Sequence, residues 1–307
     1  MSTKLNGELD TLKVDSQEVM GLLKIFKEGV IALDLETTGL SPLTDRIIEI
    51  SAVKITPSNN SFNLEVFDEL INPKIEIPQT TIDIHGITNQ MIKDCDDISK
   101  VLPRFHLFMG NLPIIAHNAI FDIGFLVFDM HQFKLPLPSV NVYCSCRLAR
   151  QAFKELKGHG LANLTKELSI DLKNHHRALD DALACLKVFL KSLEAKSITD
   201  KEGLNYAKVL DLKEFQENFE YEIPPHLVDL KKYLEKQTPI MIRYKGGSHG
   251  KGYRPIRPIS FLPMPSGNIL YAHCLITDLY KSFALKKIRD FKESSNQEIE
   301  SFLKEYK

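Results

Sequence analysis

The sequence predicts an α/β protein, a mixed sheet flanked by helices, followed by a small β-barrel-like C-terminal domain. Three observations predict it. Runs rich in β-branched and apolar residues fill Val30 to Ile71, and helical spacing takes over from about residue 88 with one strand-like run, LPIIAH, set into it. Four short strand-like runs punctuated by GGSHGKG and PMPSG then close the chain. A length of 307 residues, 43% of them hydrophobic, supplies core enough for roughly two domains.

Taken in order, residues 15–29, DSQEVMGLLKIFKEG, open with Asp15 and Glu18 at capping-box spacing, carry Met20, Leu23 and Phe26 at helical intervals, and stop at Gly29. This is a leading helix within an N-terminal extension, residues 1–29. VIALDLETTG, IIEISAVKI and SFNLEVFDELI, separated by GLSPLTD and TPSNN, read as consecutive strands of one sheet. LPIIAH, residues 112–117, reads as a further strand, followed by a helix from about Phe121 and another through Ala182, Leu186 and Phe189. Together they make a domain over residues 30–193. The highly charged stretch 194–237 reads as a helical connector, and 238–307 as a basic β domain built from IMIRY, YRPIRPISF, NILYAHCLI and KSFALKKI.

The net charge of −1 conceals a division. Between Thr238 and Lys292 there are ten Lys or Arg against two acids, so this segment carries about +8 and the rest about −9. Positive charge of that density suits phosphate binding. The five cysteines are odd in number and scattered, and Cys144 and Cys146 lack zinc-knuckle spacing, so neither a disulfide framework nor a zinc site is expected. No run approaches a membrane span and the start carries no apolar leader, which makes a cytoplasmic protein without membrane contact the expectation.

The chemistry concentrates in three segments. In DLETTGL, residues 34–40, Asp34 and Glu36 lie two apart on a strand and so face one side. Two carboxylates placed together repel unless a divalent cation lies between them, and hard oxygen ligands favour Mg²⁺ or Mn²⁺ over zinc. IIAHNAIFDIGFL, residues 114–126, sets Asp122 at a helix start, and HHRALDDA, residues 175–182, sets a histidine five residues ahead of an aspartate. Two registers of that spacing exist, His176 with Asp181 and His175 with Asp180.

DLETTGL, IHGIT, AHNAIFDIGFL and HRALDDA, in this order, resemble the signatures of the DnaQ-like, or DEDDh, 3′-to-5′ exonucleases, which include the proofreading subunits and exonuclease domains of bacterial DNA polymerase III. The resemblance covers about residues 28–192. It implies a ribonuclease-H-like sheet, two Mg²⁺ or Mn²⁺ ions held by Asp34, Glu36, Asp122 and Asp181, and His176 as the general base; the family pattern selects His176 and Asp181 over their neighbours. It further implies that Thr37, Thr38 and Leu40 line the terminal-nucleotide pocket, with His85, Asn118 and Phe121 as further substrate contacts. The expected activity is hydrolysis at the 3′ end of single-stranded or frayed DNA in proofreading, repair or degradation, with a DNA polymerase or repair protein as partner. An RNA 3′ end is the alternative substrate, and a non-catalytic nucleic-acid-binding regulator ranks below both.

The C-terminal segment is similar to the WYL domain, a bacterial module with an Sm- or SH3-like barrel, through PIMIRYKGG, YRPIRPISF, LYAHCL and KSFALKKI. The naming tripeptide of that family falls on Asn268, Ile269 and Leu270, and Lys281 and Ala284 replace two of its arginines. A nucleotide or strand ligand is expected there, with Arg254, Arg257, Lys281 and Lys287 as phosphate contacts.

Overall fold

The computed structural model describes residues 3–4, 15–170, 177–215, 223–236, 238–246 and 252–306, which fall into two compact units. The first unit comprises Met1–Gly39 and Arg46–Glu214, the second Leu40–Asp45 and Phe215–Lys307. The stretch 194–237 is thereby shared between the two.

The first unit is built on a seven-stranded sheet: β1 (Thr3–Lys4), β2 (Val30–Thr37), β3 (Ile47–Ser58), β4 (Ser61–Leu70), β5 (Ile114–Ala116), β6 (Asn141–Cys144) and β7 (Lys208–Asp211), in spatial order β1-β4-β3-β2-β5-β6-β7. The three long strands form an antiparallel meander, while β5 lies parallel to β2 and β6 parallel to β5. This is the mixed sheet flanked by helices that the sequence predicts. Strand β2 is central and buried along most of its length, because its two faces are covered and Val30, Ile31, Ala32 and Leu33 all lie at 1% exposure or less.

The leading helix spans Ser16–Ile25, and the Asp15 carboxylate accepts from the backbone N–H groups of Gln17 at 2.6 Å and Glu18 at 3.2 Å. That is the N-cap the spacing predicts. The helix stops short of Gly29, and it buries Val19, Leu22, Leu23 and Ile25 while Met20, expected on the apolar face, is 36% exposed. Gly29 serves the turn into β2: its φ is +115°, and a Cβ there would stand 2.4 Å from the Ile55 carbonyl oxygen.

The helix Ala178–Lys196 presents Leu183, Leu186, Phe189, Leu190 and Leu193 to a core that includes Val30, Ala32, Val53 and Ile55, and this packing fixes its height against the sheet. Phe26 reaches the same core, its ring 5.3 Å from that of Tyr143 and 6.5 Å from that of Phe189. Strands β6 and β7 have no clear signal in the sequence.

The second unit carries a five-stranded antiparallel sheet of β8 (Ile240–Tyr244), β9 (Tyr253–Leu262), β10 (Ile269–Cys274), β11 (Leu279–Ala284) and β12 (Ile288–Glu293), in order β11-β10-β9-β8-β12. Leu227, Leu230 and Leu234 cover its apolar face, which is formed by Ile240, Ile242, Ile256, Phe261, Leu270 and Phe283. A helix, Asn296–Tyr306, follows the last strand. KSFALKKI, expected as one strand, is broken by a 3₁₀ turn over Leu285–Lys287, after which the unexpected β12 runs back along β8. Among the described residues no helix is long and apolar enough to cross a membrane.

Candidate active site

Three acidic side chains of the first unit, from one strand and one helix, come together in one place. Asp34 and Glu36 project from the C-terminal half of β2, and Asp181 from the first turn of the helix Ala178–Lys196. One oxygen from each of the three lies within 4.8 Å of the others. Asp180 is not in this group, so of the two aspartates in HHRALDDA it is Asp181 that meets the strand.

Asp122, 3% exposed, stands in the first turn of the helix Ile120–Gln132 and accepts the Leu35 backbone N–H at 3.2 Å. The reason is local: β5 pairs with β2 only as far as Leu33–Ala116, and the Asp122 carboxylate takes a donor that the sheet leaves over.

The electrostatics follow from burial. Loss of water around Asp34, reinforced by Asp122, Glu36 and Asp181, pushes its carboxyl well above the ordinary range. Burial, with Asp181 and Glu49 beside it, lifts Glu36 to about 8, and burial lifts Asp122 to about 7 against the pull of two backbone N–H groups. A cluster of carboxyls this reluctant to ionise is unfavourable by itself and becomes favourable around a cation. The donors are oxygens without sulfur or imidazole among the described residues, which fits a hard divalent ion.

His176, with His175, lies outside the described residues. The residue after it, Arg177, begins the helix and meets Glu49 of β3, a buried acid that the sequence reading does not single out. One glutamate inside the apolar run IIEISAV is the available signal. His117, which follows β5, is unsuited to a base role: its Nε2 lies 3.0 Å from the His159 carbonyl and its Nδ1 2.8 Å from the Ser145 hydroxyl. Burial pushes it down to about 4, so it is neutral with both nitrogens engaged.

The expected substrate contacts are distributed unevenly. The Thr37 hydroxyl donates to the Gly39 carbonyl at 2.5 Å and the Thr38 hydroxyl accepts from the Arg46 N–H at 3.0 Å, so both build the turn after β2. Leu40 begins the short loop that groups with the second unit. Asn118 adopts a left-handed φ of 58° between β5 and the Asp122 helix, and the Phe121 ring packs 5.2 Å from that of Phe125. His85 is buried, its Nδ1 accepting from the Ile87 N–H at 3.0 Å.

In the second unit the four expected phosphate contacts separate. Arg254 is 6% exposed with its guanidinium 5.4 Å from the centroid of the Phe283 ring, whereas Arg257, three residues on, faces the opposite side of β9 and is exposed. Lys281 is half-buried on β11, and Lys287 is exposed at the end of the 3₁₀ turn.

On this mixed sheet the central strand ends in paired acids, and each of two flanking helices sets an aspartate beside them. A family model described as Exonuclease matches residues 31–189, and the chain belongs to this DnaQ-like exonuclease family. It is 37% identical over 185 residues to a PolC-type DNA polymerase III of Oceanobacillus iheyensis, covering 60% of this chain and 13% of that protein. To the PolC-type DNA polymerase III of Clostridium perfringens it is 33% identical over 268 residues, 84% of this chain and 18% of that one. The chain thus spans less than a fifth of the length of these relatives. Among solved structures, an exonuclease X in complex with 5′ overhanging duplex DNA is 24% identical, with a TM-score of 0.46 over 58% of this chain and 99% of that one.

Proposed function

We propose that the chain removes nucleotides one at a time from the 3′ end of a DNA strand, with Asp34, Glu36, Asp122 and Asp181 as ligands of two Mg²⁺ or Mn²⁺ ions and His176 as general base. The observation that carries the reading is the convergence of Asp34, Glu36 and Asp181 within 4.8 Å, with Asp122 buried beside them. Its kinship with PolC-type DNA polymerase III supports DNA as substrate and a replicative polymerase as partner.

Bound divalent ions supply charge neutralisation for the phosphate and a more acidic water. The chain's own residues do the rest. The four carboxylates would hold the ions beside β2, and His176 would accept the proton of the attacking water. The turn built by Thr37 and Thr38 shapes the ground on which the terminal nucleotide rests. In the second unit, the exposed Arg257 and Lys287 touch backbone phosphates of the incoming strand, in keeping with the +8 charge of that segment; we read this unit as a WYL-like barrel.

The test uses single strands of DNA and RNA of one sequence, labelled at the 5′ end, with Mg²⁺, Mn²⁺ or EDTA. The expected result is a ladder shortening by single nucleotides from the 3′ end of DNA, dependent on the divalent ion. His176→Ala lowers turnover by about 10²-fold or more while His175→Ala is mild. Shortening from the 5′ end, or undiminished turnover in EDTA, overturns the reading, and faster loss of RNA moves the substrate.

A further inference from the structure

Side chains alternate along β10, so with Leu270 and Ala272 in the apolar core of the second unit, Tyr271 and His273 take the opposite face of the sheet. The strand register sets Arg257 of β9 on one side of His273 and Tyr280 of β11 on the other. A cation, an imidazole and a phenol thus form one row across three strands, about 10 Å wide at two strand spacings. The Tyr280 ring lies 5.1 Å from that of His273 and stacks on that of Tyr271 at 5.9 Å, with 20° between the two planes. His273 is itself held, its Nε2 standing 2.9 Å from Asp278 Oδ1. Tyr271 is 8% exposed, whereas Tyr280 keeps 51% of its surface in water and Arg257 is exposed as well.

A tyrosine ring on an edge strand that is half in water forgoes much of the apolar burial such a side chain ordinarily gains. With two further rings packed against it, Tyr280 is also fixed in place, so a flat partner that stacks on it pays little for ordering it. The row has a polarity, because Arg257 stands at one end and the Asp278 carboxylate near the other. One nucleotide of a single strand has the matching polarity, an anionic phosphate joined to a flat, neutral base. A phosphate alone would leave the ring unused, and an apolar partner would leave Arg257 unused. Farther along the same face of β9, the Tyr253 ring has the Arg243 guanidinium 5.8 Å and the Lys292 ammonium 5.1 Å from its centroid. Rings and cations therefore alternate over this face, and the segment that holds them carries about +8.

We infer that the row Arg257, His273 and Tyr280 is a stacking site for an unpaired base of a single strand: the base lies on the exposed ring of Tyr280, and Arg257 takes the adjoining phosphate. The inference rests on the strand contact proposed above for the second unit and gives that contact a base-directed part. It also gives the unit a preference. Every base has a face that can stack, so the site is indifferent to sequence. In a duplex those faces are already stacked on their neighbours, so only an unpaired strand can use Tyr280. A backbone contact alone would hold duplex and single strand alike.

The experiment measures binding by the full chain in EDTA, which stops hydrolysis, from the fluorescence anisotropy of three labelled probes over a range of salt. The probes are a short oligothymidylate, a strand of the same length with abasic sugars, and a blunt duplex. Tyr280→Ala should weaken oligothymidylate binding by about 5- to 100-fold and leave the slope of log affinity against log salt unchanged, because a stacked base but no ion pair is lost. Tyr280→Phe, which keeps the ring, should stay within about 2-fold of wild type. On the abasic strand and on the duplex, Tyr280→Ala and wild type should agree within about 2-fold. Arg257→Ala should flatten the slope by roughly 0.7 on both single strands. Wild-type affinity of Tyr280→Ala for oligothymidylate overturns the inference, and so does an equal loss on the abasic strand, which would assign Tyr280 to the backbone. In either case a flattened slope in Arg257→Ala leaves the strand contact itself standing. An unchanged slope in Arg257→Ala, or no binding of oligothymidylate by the wild type at low salt, removes that contact and the stacking site with it. Tyr280 is exposed enough that its replacement leaves the core of the unit intact.

Discussion

The carboxyls around β2 hold their protons more tightly in the folded chain than in an unfolded one, Glu36 to about 8 and Asp122 to about 7, and Asp34 is shifted the same way. The sign of the linkage follows. Stability from these groups is present in full below the ordinary carboxylate range of about 4 and is lost as pH rises through 7 and 8. In EDTA the melting temperature of the first unit should therefore fall between pH 5 and pH 8, and Mn²⁺ should restore it at pH 8. Asp34→Asn, by removing one of the mutually repelling charges, should raise the melting temperature of the chelated protein at pH 8. A melting temperature independent of pH and of Mn²⁺ would show that the cluster is no cation site. Asp34 and Glu36 are legible because a strand sets residues two apart on one side, whereas Asp122 and Asp181 become legible through the resemblance to the exonuclease signatures, which alone selects Asp181 over Asp180. Glu49 is not, since its meaning depends on Arg177, 128 positions away. The buried state of Arg254 is likewise hidden, because a charge count cannot tell which face of β9 a residue takes.

At the scale of elements, legibility follows the strength of local patterns. The meander β2 to β4 is long and rich in β-branched residues, and the Asp15 cap announces its helix. Strands β6 and β7 have four residues each, too short for a period, and are strands only through the neighbours they pair with. In β12, IRDFKE, charges interrupt the apolar pattern and pairing with β8 holds it. Gly29, read in the sequence as the stop of the leading helix, instead makes the turn into β2, and it carries a prediction. Because its φ is +115° and an added Cβ would meet the Ile55 oxygen at 2.4 Å, Gly29→Ala should destabilise the first unit by about 1–3 kcal/mol. A lowered urea midpoint at unchanged slope is the expected result. An unaltered midpoint would mean that the turn into β2 relaxes freely.

For the whole molecule, the order of an acidic catalytic part and a basic β part is readable from the charge division without coordinates. The boundary is less readable, because the loop Leu40–Asp45 groups with the later unit although it lies next to the first motif in sequence. If the basic unit grips a strand, Arg257→Glu with Lys287→Glu should weaken single-strand binding. It should also flatten the plot of log affinity against log salt by roughly 0.7 for each phosphate that is no longer neutralised. An unchanged slope would assign these side chains to solvent. The central claim, that the acids on β2 and its neighbouring helices form a divalent-ion site for hydrolysis at a 3′ end, is tested most directly by one measurement. That measurement is the rate of mononucleotide release from a 5′-labelled DNA strand by wild-type protein and by Asp34→Asn in Mg²⁺. The account predicts stepwise shortening from the 3′ end by the wild type and a loss of about 10³-fold or more in a folded Asp34→Asn variant; equal rates for the two proteins would contradict it.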